Sequence, residues 1–284
     1  MDHDRHTLSI SQEQYVETIL KRHGMSDCRP VSTPMEANFK LDKLAEAEID
    51  PKPYQSALGA LMYAMLGSRP DIAFAVGTLS KHASTPGTEH WNALMRVFRY
   101  LRGTSGLRLT YGKDLKPLCE HGLTVVGYSD ADWAGDRNDR RSTSAYVFKL
   151  GGGAISWCSR KQQSIAQSST EAEYVALALA AKEGLWLSTL LSDLDSPVFH
   201  ALSSRLQVPL ILVDNQSAMA LAKNSSFHDR TKHIAVRHHF IRDELERGTL
   251  TVEYVPTGDQ VADVLTKSLA REKHTYFTNL LGLY

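Results

Sequence analysis

The sequence predicts an α/β fold in which a mixed β-sheet carries helices on its faces and follows a mainly helical segment. Residues 1–115 contain helical patterns separated by proline and glycine breaks, whereas the remainder contains short apolar strands. The first of these strands are joined by hairpins and the later ones alternate with helices, an order that favours a mixed sheet. Four acidic residues placed at or near the ends of these elements indicate a shared site.

Length and composition set wide limits on function. The chain has 284 residues, with 32 basic and 32 acidic side chains and therefore zero formal charge. A zero net charge gives little support for nucleic-acid binding, because proteins that bind nucleic acids usually carry a basic excess. The cysteines, Cys28, Cys119 and Cys158, form no Cys-x-x-Cys pair, which argues against disulfides and a zinc knuckle. No stretch approaches ~18 apolar residues and the chain opens MDHDRH, so we expect neither a membrane span nor a signal peptide.

The first half is predicted to contain four helices. The pattern Ser11–His23 opens with SQEQ, a capping-box sequence, and Gly24 follows it as a stop signal. A linker with several prolines, Arg29–Pro53, comes next. The other helices, separated by breaks at Pro70 and Pro86, are Tyr54–Leu66, Asp71–His82 and Thr88–Arg102.

The second half changes from helical to strand periodicity. Its first three predicted strands are Leu123–Asp130, Ser144–Leu150 and Ala154–Arg160, and the glycines 151–153 between the last two indicate a hairpin. The elements that follow are helix Thr170–Leu191, strand Val208–Asp214, helices Gln216–Lys223 and Thr231–Arg247, strand Thr249–Val255 and a final helix. We therefore predict two domains, residues 1–115 and 120–284, with the boundary between Gly112 and His121.

Four carboxylates occupy chemically informative positions in this pattern. Asp130 and Asp214 each end an apolar strand, Glu173 lies in the first turn of a long helix, and Asp263 lies in a helix after the last strand. Ligands of open α/β sheets bind beyond the carboxyl ends of the strands, so these acids are expected to converge. Carboxylate oxygens suit Mg²⁺, and a set of this kind is what two-metal phosphodiester hydrolysis requires.

Each acid also has an ordinary structural interpretation. The stretch Thr170–Glu173 matches a capping box, in which Glu173 would bond to the backbone. Asp214 has the alternative of capping the helix that follows it. Asp130 has a close competitor in Asp132, and Asp263 alone would be an unremarkable surface residue. The presence of all four acids at the ends of these elements favours the metal site.

Several motifs together identify a family. In the second half they are GYSDADWAGD (127–136), RRSTSAYVF (140–148), ISWCSRKQ (155–162), SSTEAEY (168–174), VDNQSA (213–218), RTKHI (230–234) and VADVLTK (261–267). With these motifs, Val126–Ser268 resembles the ribonuclease H domain of copia-type LTR retrotransposon Pol polyproteins. In the first half, LSISQEQYV, YQSALGALMYAMLGSRPDIAFAVGTLSKH and EHWNALMRVFRYLRGT resemble the segment between the reverse-transcriptase palm and that domain.

The resemblance implies a ribonuclease H-like five-stranded mixed sheet in strand order 3-2-1-4-5, preceded by a helical segment like a thumb or connection. It matches Asp130, Glu173, Asp214 and Asp263 to the family's catalytic acids, which hold two Mg²⁺ ions, with Mn²⁺ as an alternative. The implied activity is cleavage of the RNA strand of RNA–DNA hybrids during reverse transcription, leaving 5′-phosphate and 3′-hydroxyl ends.

Recognition of a hybrid is expected to depend on its shape and its 2′-hydroxyls rather than on base edges. Hydroxyl side chains just before Glu173 and basic side chains beside the hairpin strands are suited to contact phosphates and 2′-hydroxyls. The candidate substrate-binding residues of these two kinds are Ser168, Ser169, Thr170, Arg140, Arg141, Arg160 and Lys161.

The resemblance also implies partners and rival functions. The expected partners are an RNA–DNA hybrid and the reverse-transcriptase palm and fingers of the same polyprotein, with no membrane. We expect an intracellular location, in a cytoplasmic retroelement particle or in the nucleus. No palm sequence precedes Leu8 in this chain, so polymerase activity is not expected. A noncatalytic retroelement remnant or a co-opted nucleic-acid-binding module is the alternative hypothesis. An integrase is disfavoured because it needs its acids in the order Asp, Asp, Glu.

Overall fold

The computed structural model describes residues 1–4, 6–112, 125–194, 208–223 and 235–284 of the chain. The chain divides into two compact units, of which one comprises Met1–Asp114 with Lys267–Tyr284 and the other Leu115–Thr266. The sequence predicts a second domain that runs from residue 120 to the C terminus, whereas the contacts group the last segment with the first unit. The predicted boundary between Gly112 and His121 lies mostly outside the described residues.

The secondary-structure elements are as follows in chain order. The first half contains β1 (Thr7–Ile10), α1 (Glu13–Arg22), α2 (Pro51–Gly67), α3 (Ala73–Ser80), α4 (Thr88–Gly103) and β2 (Leu109–Gly112). The second half contains β3 (Val126–Asp132), β4 (Thr143–Leu150), β5 (Gly153–Lys161), α5 (Ser169–Asp193), β6 (Leu210–Val213), α6 (Gln216–Lys223), α7 (Ala235–Glu246) and β7 (Thr251–Tyr254). The chain ends with α8 (Asp263–Thr266) and α9 (Arg271–Leu280).

The predicted helices of the first half are confirmed with shifted ends. Helix α2 begins at Pro51 because the side chain of Asp50 accepts a hydrogen bond from the Lys52 amide, 3.0 Å, and proline suits the first helical position. The segment predicted as one helix over Asp71–His82 begins instead with a 3-10 turn, Pro70–Ile72. Strands β1 and β2 pair antiparallel and were not predicted. Both are four residues long, and their pairing joins positions about a hundred residues apart in the chain.

A buried ion pair lies inside the first unit. Arg69 is 1% exposed and donates to both carboxylate oxygens of Asp71, at 2.9 and 2.7 Å. The Tyr100 hydroxyl donates to the same carboxylate, 2.7 Å, and Arg69 also donates to the carbonyl and hydroxyl oxygens of Thr104. Burial opposes ionisation of Asp71, but the adjacent Arg69 outweighs it and lowers the pKa of that carboxyl. The charged groups are therefore satisfied by each other, as buried charges must be.

The C-terminal segment completes the first unit. The imidazole of His274 on α9 lies 3.3 Å from the Asp71 carbonyl oxygen and packs edge-on against the Tyr100 ring. The backbones of Arg108 and Tyr284 exchange two hydrogen bonds, 2.8 and 3.0 Å. These contacts explain why Lys267–Tyr284 belongs with the helical unit and not with the sheet.

The second unit is built on a five-stranded mixed sheet with the order β5-β4-β3-β6-β7. Strand β3 pairs antiparallel with β4 and parallel with β6, while β5 and β7 complete the two edges. The order 3-2-1-4-5 expected for the strands of this domain is thereby confirmed. Residues 126–131 of β3 are all buried, as is typical of a central strand whose two faces are covered.

Helix α5 packs closely against the central strands. The buried Phe148 ring of β4 lies opposite Gly127 of β3 in the register, and a Cβ atom at Gly127 would lie 2.4 Å from Phe148 Cε1. A Cβ atom at Gly184 of α5 would lie 3.1 Å from Phe148 Cζ. The ring thus occupies the space that side chains at both glycines would need, which sets how closely the helix approaches the sheet.

Among the described residues, α5 is the one helix long and apolar enough to cross a membrane by length and composition. The sequence predicts no stretch of this kind, and by length and composition that prediction is wrong for α5. Tyr174, Leu177 and Ala181 on this helix are buried in the core cluster of the second unit with Phe148 and Ile211. Core packing therefore accounts for the apolar composition, since buried helices of globular domains pass the same test.

A substitution of Gly127 by alanine tests the close packing of the sheet. We expect Gly127→Ala to lower the free energy of unfolding by about 1–3 kcal/mol, because its Cβ overpacks the Phe148 ring. In a Phe148→Leu background the same substitution should cost less by at least ~0.5 kcal/mol, because the smaller side chain leaves room. Urea unfolding of the four chains measures this difference. Equal costs in both backgrounds would contradict the proposed close contact.

The burial of His274 predicts a pH dependence of stability in the first unit. Burial lowers the pKa of His274 below its usual 6.5. The unfolded chain therefore binds a proton more readily, so the stability is fully present above pH 6.5 and is lost as the pH falls below it. We expect a slope of up to about 1.4 kcal/mol per pH unit from this group, and a smaller slope in His274→Gln.

Urea unfolding followed by Trp91 fluorescence, with the other tryptophans replaced by phenylalanine, measures the free energy of unfolding of this unit. His23 has a pKa lowered in the same direction by burial, so the comparison between the parent chain and His274→Gln is the informative one. An unchanged slope would show that His274 does not titrate with unfolding.

Candidate metal centre

Asp130 lies near the end of the central strand β3. It is 2% exposed and pairs in register with Ala145 of β4. The hydroxyl of Thr266 in α8 donates a short hydrogen bond to Asp130 Oδ2. The competing Asp132 lies two positions on, at the end of the strand, and is less buried. The local structure therefore buries Asp130 more deeply than Asp132 and holds its carboxylate through Thr266.

Glu173 extends from the first turns of α5, and its capping alternative is wrong. The N-cap of α5 is Ser168, whose hydroxyl accepts a hydrogen bond from the Glu171 amide, 3.1 Å. Glu171 in turn accepts from the Gln167 amide, 2.7 Å. The capping positions are thus taken by Ser168 and Glu171, and Glu173 lies one half-turn further along the helix.

Asp214 follows β6, and its neighbour performs the capping role that was considered for it. The side chain of Asn215 accepts a hydrogen bond from the Ala218 amide, 2.9 Å, at the start of α6. Asp214 is thereby placed beyond the carboxyl end of a strand that runs parallel to β3. This is the edge at which open α/β sheets bind ligands.

These three acids converge. One carboxylate oxygen each of Asp130, Glu173 and Asp214 can be chosen so that all lie within 4.8 Å of one another. Such a group of hard oxygen donors, drawn from two strand ends and one helix, is compatible with a divalent metal ion of the Mg²⁺ or Mn²⁺ type. Its charge favours a cation over any other class of ligand.

Asp263 is placed differently from the other three. It lies at the start of α8 and is 2% exposed. It is not part of the group of three acids whose carboxylate oxygens lie within 4.8 Å of one another. The predicted position of Asp263 in a helix after the last strand is confirmed, although that helix, α8, is a single turn. The role of Asp263 as a fourth ligand stays a prediction.

The substrate-binding candidates are divided between structural and exposed positions. Ser168 caps α5, whereas Ser169 is exposed at the first residue of the helix. Lys161 lies 2.7 Å from carboxylate oxygens of both Asp136 and Asp139, so its charge is compensated within the unit. That pairing was not anticipated, because it joins β5 to the loop after β3.

The remaining candidates lie at the surface of the second unit. Arg140 is exposed in the loop between β3 and β4, and Arg141 is half-buried and lies 3.6 Å from Asp139. Arg160 is exposed at the end of β5 and, with Lys161 and Lys182, lines an open cavity of about 240 Å³ beside α5. Thr170 is half-buried in the first turn of α5. Phosphate contacts by these residues stay predictions.

Two residues that support the site were not predicted. Thr266 contacts Asp130 across 136 positions of sequence. Gln260 is completely buried and donates from Nε2 to the Ser129 carbonyl, 3.0 Å, next to Asp130. Both residues come from the segment that contains Asp263. Thr266 is part of the VADVLTK motif, but only the folded structure shows that its hydroxyl reaches β3.

A mixed sheet of this strand order, with carboxylates meeting at the ends of its central strands, defines the ribonuclease H-like class. Over 98% of its length the chain is 42% identical to the retrovirus-related Pol polyprotein from transposon TNT 1-94 of Nicotiana tabacum. It is 40% identical over 97% of its length to the corresponding polyprotein from transposon RE2 of Arabidopsis thaliana. The chain belongs to the family of copia-type retrotransposon Pol polyproteins.

The chain spans about a fifth of the length of these relatives, 20% and 18% respectively. Among solved structures, RNase H1 from the halophilic archaeon Halobacterium salinarum aligns with 50% of this chain and 94% of its own, at 17% identity and a TM-score of 0.34. No protein-family model matches the chain. The fold assignment depends on the strand order and not on this structural alignment.

Removal of the Thr266 hydroxyl tests how the site is supported. We expect Thr266→Val to weaken Mg²⁺ binding by about tenfold, because partners that orient a ligand typically contribute 10–100-fold to metal affinity. Thr266→Ser keeps the hydroxyl and should bind Mg²⁺ within about twofold of the parent. Isothermal titration calorimetry measures both. Equal affinities in the valine and serine variants would mean that the hydrogen bond does not hold Asp130 in its binding orientation.

Proposed function

We propose that this chain hydrolyses the RNA strand of RNA–DNA hybrids with two divalent metal ions bound at the acidic centre. The observation that supports this proposal is the convergence of Asp130, Glu173 and Asp214 at one edge of a ribonuclease H-like sheet. The family resemblance supports the proposal further, because the motifs that carry it contain these three acids.

The chain's residues have distinct tasks in this reaction. Asp130, Glu173 and Asp214 would hold the ions, and Asp263 would complete the set. When bound, divalent ions would supply an activated water nucleophile and stabilise the leaving 3′ oxygen. Thr266 keeps the Asp130 carboxylate oriented through its hydrogen bond. Glu173 is carried by a helix that is capped by Ser168 and Glu171, so capping does not account for its carboxylate.

Substrate binding is assigned to the surface around this centre. Ser169 and Thr170 at the start of α5 are suited to 2′-hydroxyls or phosphates, together with the helix N-terminal amides. Arg140, Arg141 and Arg160 are suited to phosphates of either strand. Lys161 contributes mainly to holding the loop after β3, since it is paired with two carboxylates.

Membership of a retrotransposon Pol family supports a role for this activity in reverse transcription. We propose that the domain removes the RNA template from the hybrid, in the cytoplasmic particle or nucleus, beside the palm and fingers of the same polyprotein. The first unit is assigned to the thumb- or connection-like segment. Polymerase activity is not proposed for this chain.

Cleavage of a labelled hybrid tests the proposal. The full chain in Mg²⁺ should cut the RNA strand of an RNA–DNA hybrid, leave 5′-phosphate and 3′-hydroxyl ends, and spare DNA duplex of the same sequence. Asp214→Asn should reduce the rate by at least ~100-fold, because a direct ligand contributes more than the partners that orient it.

A matched control is Asp193→Asn, which removes an exposed carboxylate at the far end of α5. That position lies about 30 Å along the helix from Glu173, at about 1.5 Å per residue, and its loss should leave the rate unchanged. Absence of cleavage by the parent chain, with hybrid binding retained, would favour the noncatalytic nucleic-acid-binding module instead.

A further inference from the structure

A large aromatic side chain lies exposed next to the acidic centre. Trp133 follows directly after β3, three positions beyond Asp130, and 51% of its surface is exposed. Single exposed hydrophobic residues are common, so exposure alone assigns no role. The surroundings of Trp133 are informative because three separate features fix the indole ring and the loop that follows it.

The first interaction is made by the indole ring itself. Its Nε1–H donates to the Ala166 carbonyl, 3.1 Å, in the loop between β5 and α5. Ala166 packs in a buried cluster with Ala131, Ala172 and Ala176, whose small side chains let this loop approach β3 and α5. The residue before Ala166 is Ile165, which is 58% exposed. The hydrogen bond thus ties the exposed indole to the loop that also carries the exposed Ile165.

The second interaction is the backbone conformation that follows Trp133. Ala134 adopts a φ of +54°, a conformation that residues with a Cβ atom rarely take, and its amide donates to Ser142 Oγ, 3.0 Å. Gly135 lies against Asp132 so closely that a Cβ atom would be 1.5 Å from Oδ2. Local strain of this kind persists where the surrounding structure imposes it, and it is concentrated at functional sites.

The third interaction is a pair of ion contacts that fix the loop from Trp133 to Ser142. Lys161 of β5 lies 2.7 Å from both Asp136 Oδ2 and Asp139 Oδ2. Within the loop, the Arg140 amide donates to the Asp136 carbonyl, 2.8 Å. The loop is thus tied to the edge of the sheet, and its most exposed large apolar group is the Trp133 indole.

We propose that Trp133 contacts the minor groove of an RNA–DNA hybrid bound at the acidic centre. This inference rests on the proposed function. Three residues of extended chain span at most about 10 Å, so a hybrid bound at Asp130 reaches Trp133 within about three base-pair steps. The wide, shallow groove of an A-like duplex exposes ribose and base edges, on which the indole packs without reading sequence.

Hybrid binding in a chain that cannot cleave tests the contact. In an Asp214→Asn background, Trp133→Ala should weaken binding of a labelled RNA–DNA hybrid by at least about fivefold, measured by fluorescence anisotropy, because removing part of an indole surface from water contributes at least that much. Trp133→Phe keeps an aromatic face but loses the indole hydrogen bond. Its affinity for the hybrid should lie between the affinities of the Asp214→Asn parent and the Trp133→Ala variant.

Trp186→Ala is the matched control. Trp186 is 56% exposed, but it lies thirteen positions after Glu173 on α5, about 20 Å along the helix axis at about 1.5 Å per residue. Its loss should leave hybrid affinity within about twofold. The weakening by Trp133→Ala should also persist between about 50 and 200 mM salt, because an apolar contact releases no counterions.

The two proposals are separated by their readouts. In the cleaving chain, Trp133→Ala should raise KM and leave kcat unchanged, together with the Mg²⁺ concentration that gives half-maximal activity. A distorted metal site would instead change kcat or that Mg²⁺ concentration. Hybrid binding that depends on Trp133 in a chain without cleavage would uphold the contact and reject the nuclease. Equal affinities of the Trp133→Ala and Trp186→Ala variants, in a chain that binds or cleaves the hybrid, would overturn the contact alone. A chain that does not bind the hybrid would overturn both.

Discussion

The close packing of α5 on the central strands is the constraint on which the acidic centre depends. Phe148 occupies the space next to Gly127 on β3 and Gly184 on α5, so the helix and the sheet meet at a separation set by one aromatic ring. Asp130 extends from the sheet and Glu173 from the helix. Their oxygens come within 4.8 Å of each other and of Asp214 only while that separation is kept. Core packing and site geometry are therefore one property of the second unit.

Much of the site was accessible from the sequence because its ligands lie at the ends of regular elements. The strands before Asp130 and Asp214 and the helix that carries Glu173 are predicted with ends shifted by a few residues. What the sequence could not decide was which of two adjacent polar residues caps a helix. Glu171 and Asn215 take those roles, which excludes the capping alternatives for Glu173 and Asp214. The competing capping residues are only one or two positions apart in the sequence, and only the backbone geometry shows which of them caps the helix.

The parts that escaped prediction all depend on contacts between distant positions. The β1–β2 pairing, the contact of Arg108 with Tyr284 and the hydrogen bond from Thr266 to Asp130 each join residues about a hundred or more positions apart. Local sequence patterns do not indicate which distant residues will be in contact. The same limit explains the domain assignment, since α9 has an ordinary helical pattern and only its packing on Asp71 and Tyr100 shows where it belongs.

The charge balance of the chain connects these observations to substrate binding. Several of its cations are paired within the chain: Arg69 is buried against Asp71, Arg96 pairs with Glu36, and Lys161 bridges two aspartates. A neutral chain with an acidic centre attracts a polyanion weakly over long distances, because that attraction grows with uncompensated basic charge. Affinity must then come from short-range contacts close to the metal ions. A rigid, exposed aromatic group three residues from Asp130 meets that requirement, whereas a further paired lysine would not.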